Sequence, residues 1–144
     1  MLEKSQEKAK EWVVNAVTFY KNSGRDIALA EFTNSKGPFV KEDMYIFVLD
    51  TQGNMLAHGV NEKYIGQNFM NIKDSDGKDF VREIVNSANT IGSGFADYKW
   101  YNPVTKESKP KSVYFEKADD LIICSGIYIE KLLDIISYNL SQSS

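Results

Sequence analysis

The order of apolar patterns predicts an α/β module: an antiparallel sheet of about five strands, a long N-terminal helix, and flanking helices on one side of the sheet. Three observations carry this. Residues 94–128 alternate with a period of two and divide at Asn102-Pro103 and Asp119-Asp120, giving strands at 95–101, 111–117 and 121–128 whose short links make them antiparallel neighbours. Apolar runs at 44–49 and 55–58 flank Asp50-Thr51-Gln52-Gly53-Asn54 and read as a hairpin. Ahead of both, Ala9, Trp12, Val13, Ala16, Val17 and Tyr20 recur at helical spacing in a charged stretch.

In chain order, the first helix spans 3–20 and stops at Ser23-Gly24. A second starts near Asp26, which can cap it, and runs through Ile27, Ala30 and Phe32 until Asn34, Ser35, Gly37 and Pro38 end it. Arg25, at the break, is either a solvated arginine or an anion contact. After the hairpin, 61–71 is a loop or short helical turn. Asp74, Asp76, Gly77 and Glu83 match four places of a calcium loop, but Ile72 stands at its first ligand place and Phe80 at its ninth, which argues against calcium. Helix initiation accounts better for these residues: Asp76 or Asp79 caps a helix with the stripe Phe80, Val81, Ile84, Val85 and Ala88, ended by Gly92 and Gly94. After the last strand, Ile129, Leu132, Leu133, Ile136 and Leu140 mark a closing helix before a disordered SQSS tail.

The 144 residues form one domain, with N-terminal helices at 1–34, sheet and core at 40–128, and a C-terminal helix and tail at 129–144. A net charge of -3 with both signs interspersed leaves no footprint for nucleic acid or anionic lipid. The single cysteine, Cys124, excludes an internal disulfide and lies in an apolar run, where it reads as a small buried hydrophobe. No run approaches a membrane span, and Met1 leads into charged residues rather than a signal-peptide core.

Strand alternation selects the candidate site. Ala96, Tyr98 and Trp100 share one face of their strand and Phe95, Asp97, Lys99 and Tyr101 the other; Tyr45 and Phe47 share a face opposite Met44, Ile46 and Val48. Polar-tipped aromatics with Lys111 suit either a small-ligand pocket or a sheet rim whose tips meet solvent. His58, the only histidine, ends a strand beside Gly59, where it is a structural group or a cavity contact.

YKWYNPVT, KPKSVYFEK and IICSGIY, preceded by DMYIFVLDTQGNMLAHG and KYIGQNF, together resemble the single Cache domains of bacterial sensors, in order and over nearly the whole chain. Those are extracytoplasmic ligand-binding modules of chemoreceptors and sensor kinases, also found as stand-alone secreted proteins, with a PAS-like sheet behind a long helix. The resemblance implies a sensor of a small organic acid such as acetate, pyruvate, lactate or propionate. It makes the lysine of Pro110-Lys111 the carboxylate partner, adds Tyr98, Trp100 and Tyr114 as donors and apolar wall, and places His58 at the pocket border. Strict alternation sets Lys111 and Tyr114 on opposite faces, so at most one of them faces the pocket unless Pro110 starts an irregular strand. The resemblance also implies a periplasmic location; without a leader or span the chain reads as a region cut from a longer receptor or as an intracellular variant.

The expected partner is a short carboxylate, with no nucleic acid, membrane contact only through segments outside this chain, and a homodimer through the N-terminal helices. No cofactor is expected. One alternative is a PAS-type haem or flavin sensor, with His58 as a haem ligand, although no CxxCH motif occurs. A small enzyme is the other, but the sequence holds neither a nucleophile elbow nor a phosphate-binding glycine loop.

Overall fold

A computed structural model of the protein describes residues 2–130 and 132–143. Helix α1 (Leu2–Ser23) is followed by α2 (Arg25–Thr33), then by β1 (Val40–Lys41), β2 (Met44–Asp50), β3 (Met55–His58) and a 3-10 turn at Glu62–Tyr64. Helix α3 (Phe80–Ile91) leads into β4 (Ser93–Tyr101), β5 (Ser108–Ala118) and β6 (Leu121–Tyr128), and α4 (Leu132–Gln142) closes the chain. The sheet has six strands in the order β1-β2-β6-β5-β4, with β3 also paired to β2, and every pairing is antiparallel.

The sheet is covered on both faces, not on one side as the sequence suggested. β2 and β6 are buried at nearly every position, irrespective of parity, so each strand needs cover above and below. On one face, α1 buries Ala9, Val13, Ala16 and Val17 against Met44, Ile46, Val48, Tyr114, Ile123 and Ile127. On the other, α3 buries its whole predicted stripe, Phe80, Val81, Ile84, Val85 and Ala88, against Tyr45, Phe47, Tyr98, Val113, Phe115 and Cys124. The second face contains the candidate site.

Helix ends differ from the sequence reading in instructive ways. Asp26 lies in the first turn of α2 while Gly24, at φ 87°, takes the capping position, because the sharp break after α1 demands a left-handed φ there. Arg25 pairs with Asp120 at 3.1 Å on the surface, which absorbs its charge locally. Neither Asp76 nor Asp79 caps α3 by its side chain: Asp79 occupies the position but its carboxylate meets Lys73 at 2.8 Å, and Asp76 pairs with Lys99. Among the described side chains of α4 the buried one is Tyr138, whereas Leu133, Ile136 and Leu140 face outward; the side chain of Leu132 and the whole of Ser144 lie outside the described residues, and Ser141 and Gln142 continue the helix.

Asp74 does the work expected of a cap, one loop earlier. Its Oδ1 accepts from the N–H groups of Asp76 and Lys78 at 2.9 Å, and its Oδ2 accepts from Lys99 N at 2.9 Å. The last bond fastens the loop ahead of α3 to β4, the free edge of the sheet, where an unpaired N–H would otherwise invite another strand. Asp74→Ala should therefore lower stability by about 2 to 3 kcal/mol, since charge-assisted bonds to backbone donors are lost together. Urea unfolding at pH 7 measures this; a loss below 0.5 kcal/mol, within the range of an ordinary surface change, would show that water replaces the carboxylate.

Candidate functional site

The pairing of β5 with both neighbours places Lys111 opposite Tyr98 on one side and Tyr128 on the other, so the three form one row on the α3 face. Lys111 is only 1% exposed. Its Nζ donates to Tyr45 Oη at 3.0 Å and lies 4.4 Å from the Tyr45 ring centre, 5.0 Å from that of Tyr128 and 5.4 Å from that of Phe47. Among the described side chains no carboxylate reaches it. Aromatic faces and one hydroxyl offset part of the cost of dehydrating an ammonium, but they do not neutralise it.

Gly126 makes room for the lysine. A Cβ there would stand 2.7 Å from Ser112 O and 2.9 Å from Lys111 Cε, so any larger residue pushes on the backbone of β5 and on the lysine stem together.

His58 lies beside Lys111, 3% exposed. Its Nδ1 accepts from Asn61 N at 3.0 Å and Val60 N at 3.3 Å, so the neutral ring carries its proton on Nε2. The ring lies 4.8 Å from Tyr45, 5.0 Å from Tyr64 and 6.1 Å from Phe47. Burial first, and the Lys111 charge second, lower its pKa to about 3. Tyr98, 1% exposed, stacks on Phe80 at 4.0 Å, and its hydroxyl has no hydrogen-bond partner among the described residues. Burial holds that phenol protonated, so it remains a donor.

These residues enclose a cavity of about 10 Å³, room for roughly one water, lined also by Met55, Phe69, Val81 and Trp100. Lys111, Tyr98, Trp100, His58, Tyr45 and Phe47 are thus brought together. Tyr114 is not: alternation turns it to the α1 face, where its hydroxyl donates to Glu116 at 3.1 Å and its ring packs against Phe95. Phe80 and Val81, from the predicted stripe of α3, complete the pocket wall, and sequence reasoning missed Tyr128, whose place opposite Lys111 emerges from the register. His58 is wedged among the rings of Tyr45 and Tyr64 beside this space. Cys124 is buried with its thiol pKa pushed up by desolvation, which makes it an inert packing group.

Residues 2–137 match the family model described as single Cache domain 2. Among curated proteins, the chain is 29% identical over 91 residues to the sensor histidine kinase MctS of Rhizobium johnstonii, covering 62% of this chain and 20% of that protein. It is 31% identical over 90 residues to the methyl-accepting chemotaxis protein McpP of Pseudomonas putida, covering 61% of this chain and 16% of that protein. The matched stretch therefore spans a fifth or less of those relatives. Among solved structures, a methyl-accepting chemotaxis protein from Vibrio parahaemolyticus superposes with a TM-score of 0.78 at 23% identity, over 90% of this chain and 91% of that one. A Cache chemosensory domain, described for its recognition of carboxylic acids, gives 0.68 at 24% identity over 89% and 92%.

The low pKa of His58 has a defined sign. The folded ring resists protonation that the unfolded chain accepts below pH 6.5, so its contribution to stability is intact above that value and is lost as pH falls toward about 3. Between pH 7 and pH 4.5 the loss from this group should be about 2.5 kcal/mol, at roughly 1.4 kcal/mol per pH unit below pH 6.5. His58→Gln, which keeps an acceptor for the two backbone N–H groups, should lose correspondingly less over the same window in urea titrations; parallel pH curves would show that the histidine charges without penalty. Gly126→Ala should cost about 1 to 3 kcal/mol by overpacking, read as a fall in the urea midpoint.

Proposed function

The chain belongs to the single Cache domain family, and from that premise we propose that it is a sensor module for a short aliphatic monocarboxylate of the acetate, propionate, pyruvate or lactate type. Cache domains of this family are ligand-binding sensor domains of chemoreceptors and sensor kinases, and the fold is shared with them throughout. The observation that supports the ligand class is the buried Lys111 ammonium without a carboxylate among the described side chains. Around it, His58 Nε2–H and the Tyr98 hydroxyl are donors with no acceptor among the described residues, so the polar part of the cavity is dominated by a cation and hydrogen-bond donors. A carboxylate brings the missing negative charge and several lone pairs to one point.

The same lining argues against other small metabolites. An amino acid or amine would set a second ammonium near Lys111 with no acid to receive it. A dicarboxylate would press its second charge against Phe47, Phe80 or Val81, which is unfavourable without another cation. Size favours two or three carbons, and even these require a wall to yield, because the cavity of about 10 Å³ is smaller than one acetate. Trp100 is half-buried and closes the cavity from outside, resting edge-on against Tyr64, which makes it the side chain able to move at least cost. A place in chemotaxis or another signalling chain, and a periplasmic setting, follow from the same relatives as part of this proposal.

A thermal-shift series with acetate, propionate, pyruvate and lactate, set against glycine, alanine and methylamine, tests the proposal. The acids should raise the melting temperature, by an amount equivalent to about 2.7 kcal/mol at a hundredfold excess over Kd, and the amines should not. Lys111→Met should abolish the acid shift, with an affinity loss of about 2 to 5 kcal/mol. Its melting temperature without acid should equal or exceed that of the parent, because a buried ion is exchanged for an apolar chain of similar volume. Lys99→Ala is the control, since Lys99 is paired with Asp76 at 3.1 Å away from the cavity. An acid shift that survives Lys111→Met sinks the assignment.

A further inference from the structure

Hydrogen-bond chemistry fixes the direction of every proton in a chain that begins at the lysine. An ammonium can only donate, so Tyr45 Oη accepts from Lys111 at 3.0 Å. A backbone carbonyl can only accept, so the Tyr128 hydroxyl gives its one proton to Tyr101 O at 2.6 Å. The remaining contact, Tyr45 Oη to Tyr128 Oη at 3.3 Å, is then left with one arrangement: Tyr45 donates and Tyr128 accepts. The chain therefore runs Lys111 to Tyr45 to Tyr128 to the Tyr101 carbonyl, with each hydroxyl accepting once and donating once.

Two consequences follow. Tyr45, counted among the ligand contacts on sequence grounds, has its only proton turned away from the cavity, so it offers no donor to an anion and acts instead on Lys111. Tyr128, which lies beyond Tyr45 as seen from the cavity and does not line it, decides where that proton points. We infer that Tyr128 is a positioning residue of the acid site: by accepting from Tyr45 and anchoring on the Tyr101 carbonyl, it holds the Tyr45 oxygen as an acceptor and so aims the remaining Lys111 N–H bonds at the ligand. Without the Tyr128 oxygen, the Tyr45 proton loses its acceptor and can turn toward the ammonium or the cavity, and the ammonium loses its fixed orientation. The cation-ring contact at 5.0 Å does not require the hydroxyl, so ring and oxygen can be separated by mutation.

The inference rests on Lys111 as the carboxylate's partner, and its test has one arm that needs no acid. In full-length protein labelled with nitrogen-15 on lysine, the Lys111 ammonium signal is identified by its loss in Lys111→Met. Tyr128→Phe, which retains the ring, should shift that signal and speed exchange of its protons with water about threefold or more, the scale of one net hydrogen bond. Tyr45→Phe should do the same. In the second arm, propionate affinity by calorimetry should fall about three- to tenfold in each single variant. The double variant should bind no more weakly than Tyr45→Phe alone, because the second hydroxyl acts only through the first. Unchanged exchange and affinity in Tyr128→Phe would overturn the inference, as would losses that multiply in the double variant. If the parent binds none of the acids, the proposed function fails while the exchange arm still decides the chain: faster exchange in Tyr128→Phe upholds it, and equal exchange refutes it. Should Tyr128→Phe not fold, the same two readings on Tyr45→Phe decide, with unchanged exchange overturning the inference.

Discussion

The structure is organised around an ammonium buried without a counter-ion among the described side chains. Lys111 lies in the middle strand of β4, β5 and β6, paired by backbone on both sides, and cannot swing out to solvent as a lysine on a helix or loop does. Such a group is normally unfavourable by several kcal/mol, and here only rings and one hydroxyl receive it. The neighbours are adjusted to it: a glycine at 126 clears the stem, a histidine at 58 stays neutral, and the tyrosines at 45 and 128 orient their hydroxyls in series. Removing the charge should make the empty fold easier to hold while leaving the site without a purpose, which separates function from stability at a single position.

That arrangement depends on the sheet having two covered faces. If helices lay on one side only, the row Tyr98, Lys111 and Tyr128 would face water and the lysine would be an ordinary solvated residue. Helix α3 converts the face into an interior, with Phe80 stacked on Tyr98 and Val81 beside it. Helix α1, on the other face, packs against Tyr114 and the aliphatic side of β2 and β6 and supplies the rigid backing. Both sides carry aromatics, but those gathered around Lys111 on the α3 side, Tyr45, Phe47, Tyr98 and Tyr128, make contact area and polar contacts at once.

The element order apart from the two-residue strand β1, the limits of β6 and the stripe of α3 were legible in the sequence, because each rests on periodicity that burial enforces. The facing of Lys111 and Tyr114 was also legible, since a period of two cannot place neighbours of odd separation on one face, and the family resemblance was the weaker guide at Tyr114. Pro110 produces no irregularity: it stands opposite Lys99 in regular pairing, and its carbonyl accepts from Ile129 N. Two-sided cover was written in the runs MYIFVL and IICSGIY, apolar in both parities, but was read as a single buried face. Tyr128 and Gly126 could not be found from local pattern, because their roles are set by the register between β5 and β6. Asp74 was misread for a related reason, as its carboxylate serves a strand 25 residues further on.

The smallness of the cavity restricts how the acid proposed as ligand would be felt elsewhere. The floor of the site is sheet, with Lys111 and its row paired from both sides, so added volume has to come from the walls, Trp100 and the first turn of α3. That turn has no side-chain cap bond to stiffen it, since Asp79 is engaged with Lys73. Two residues before Phe80, the Lys78 ammonium reaches both the Asp97 carbonyl on β4 and Gln142 Oε1 near the end of α4. The pocket wall and the exit helix are thus joined through the single side chain of Lys78. A ligand that displaced Phe80 and Val81 would therefore act next to the anchorage of α4.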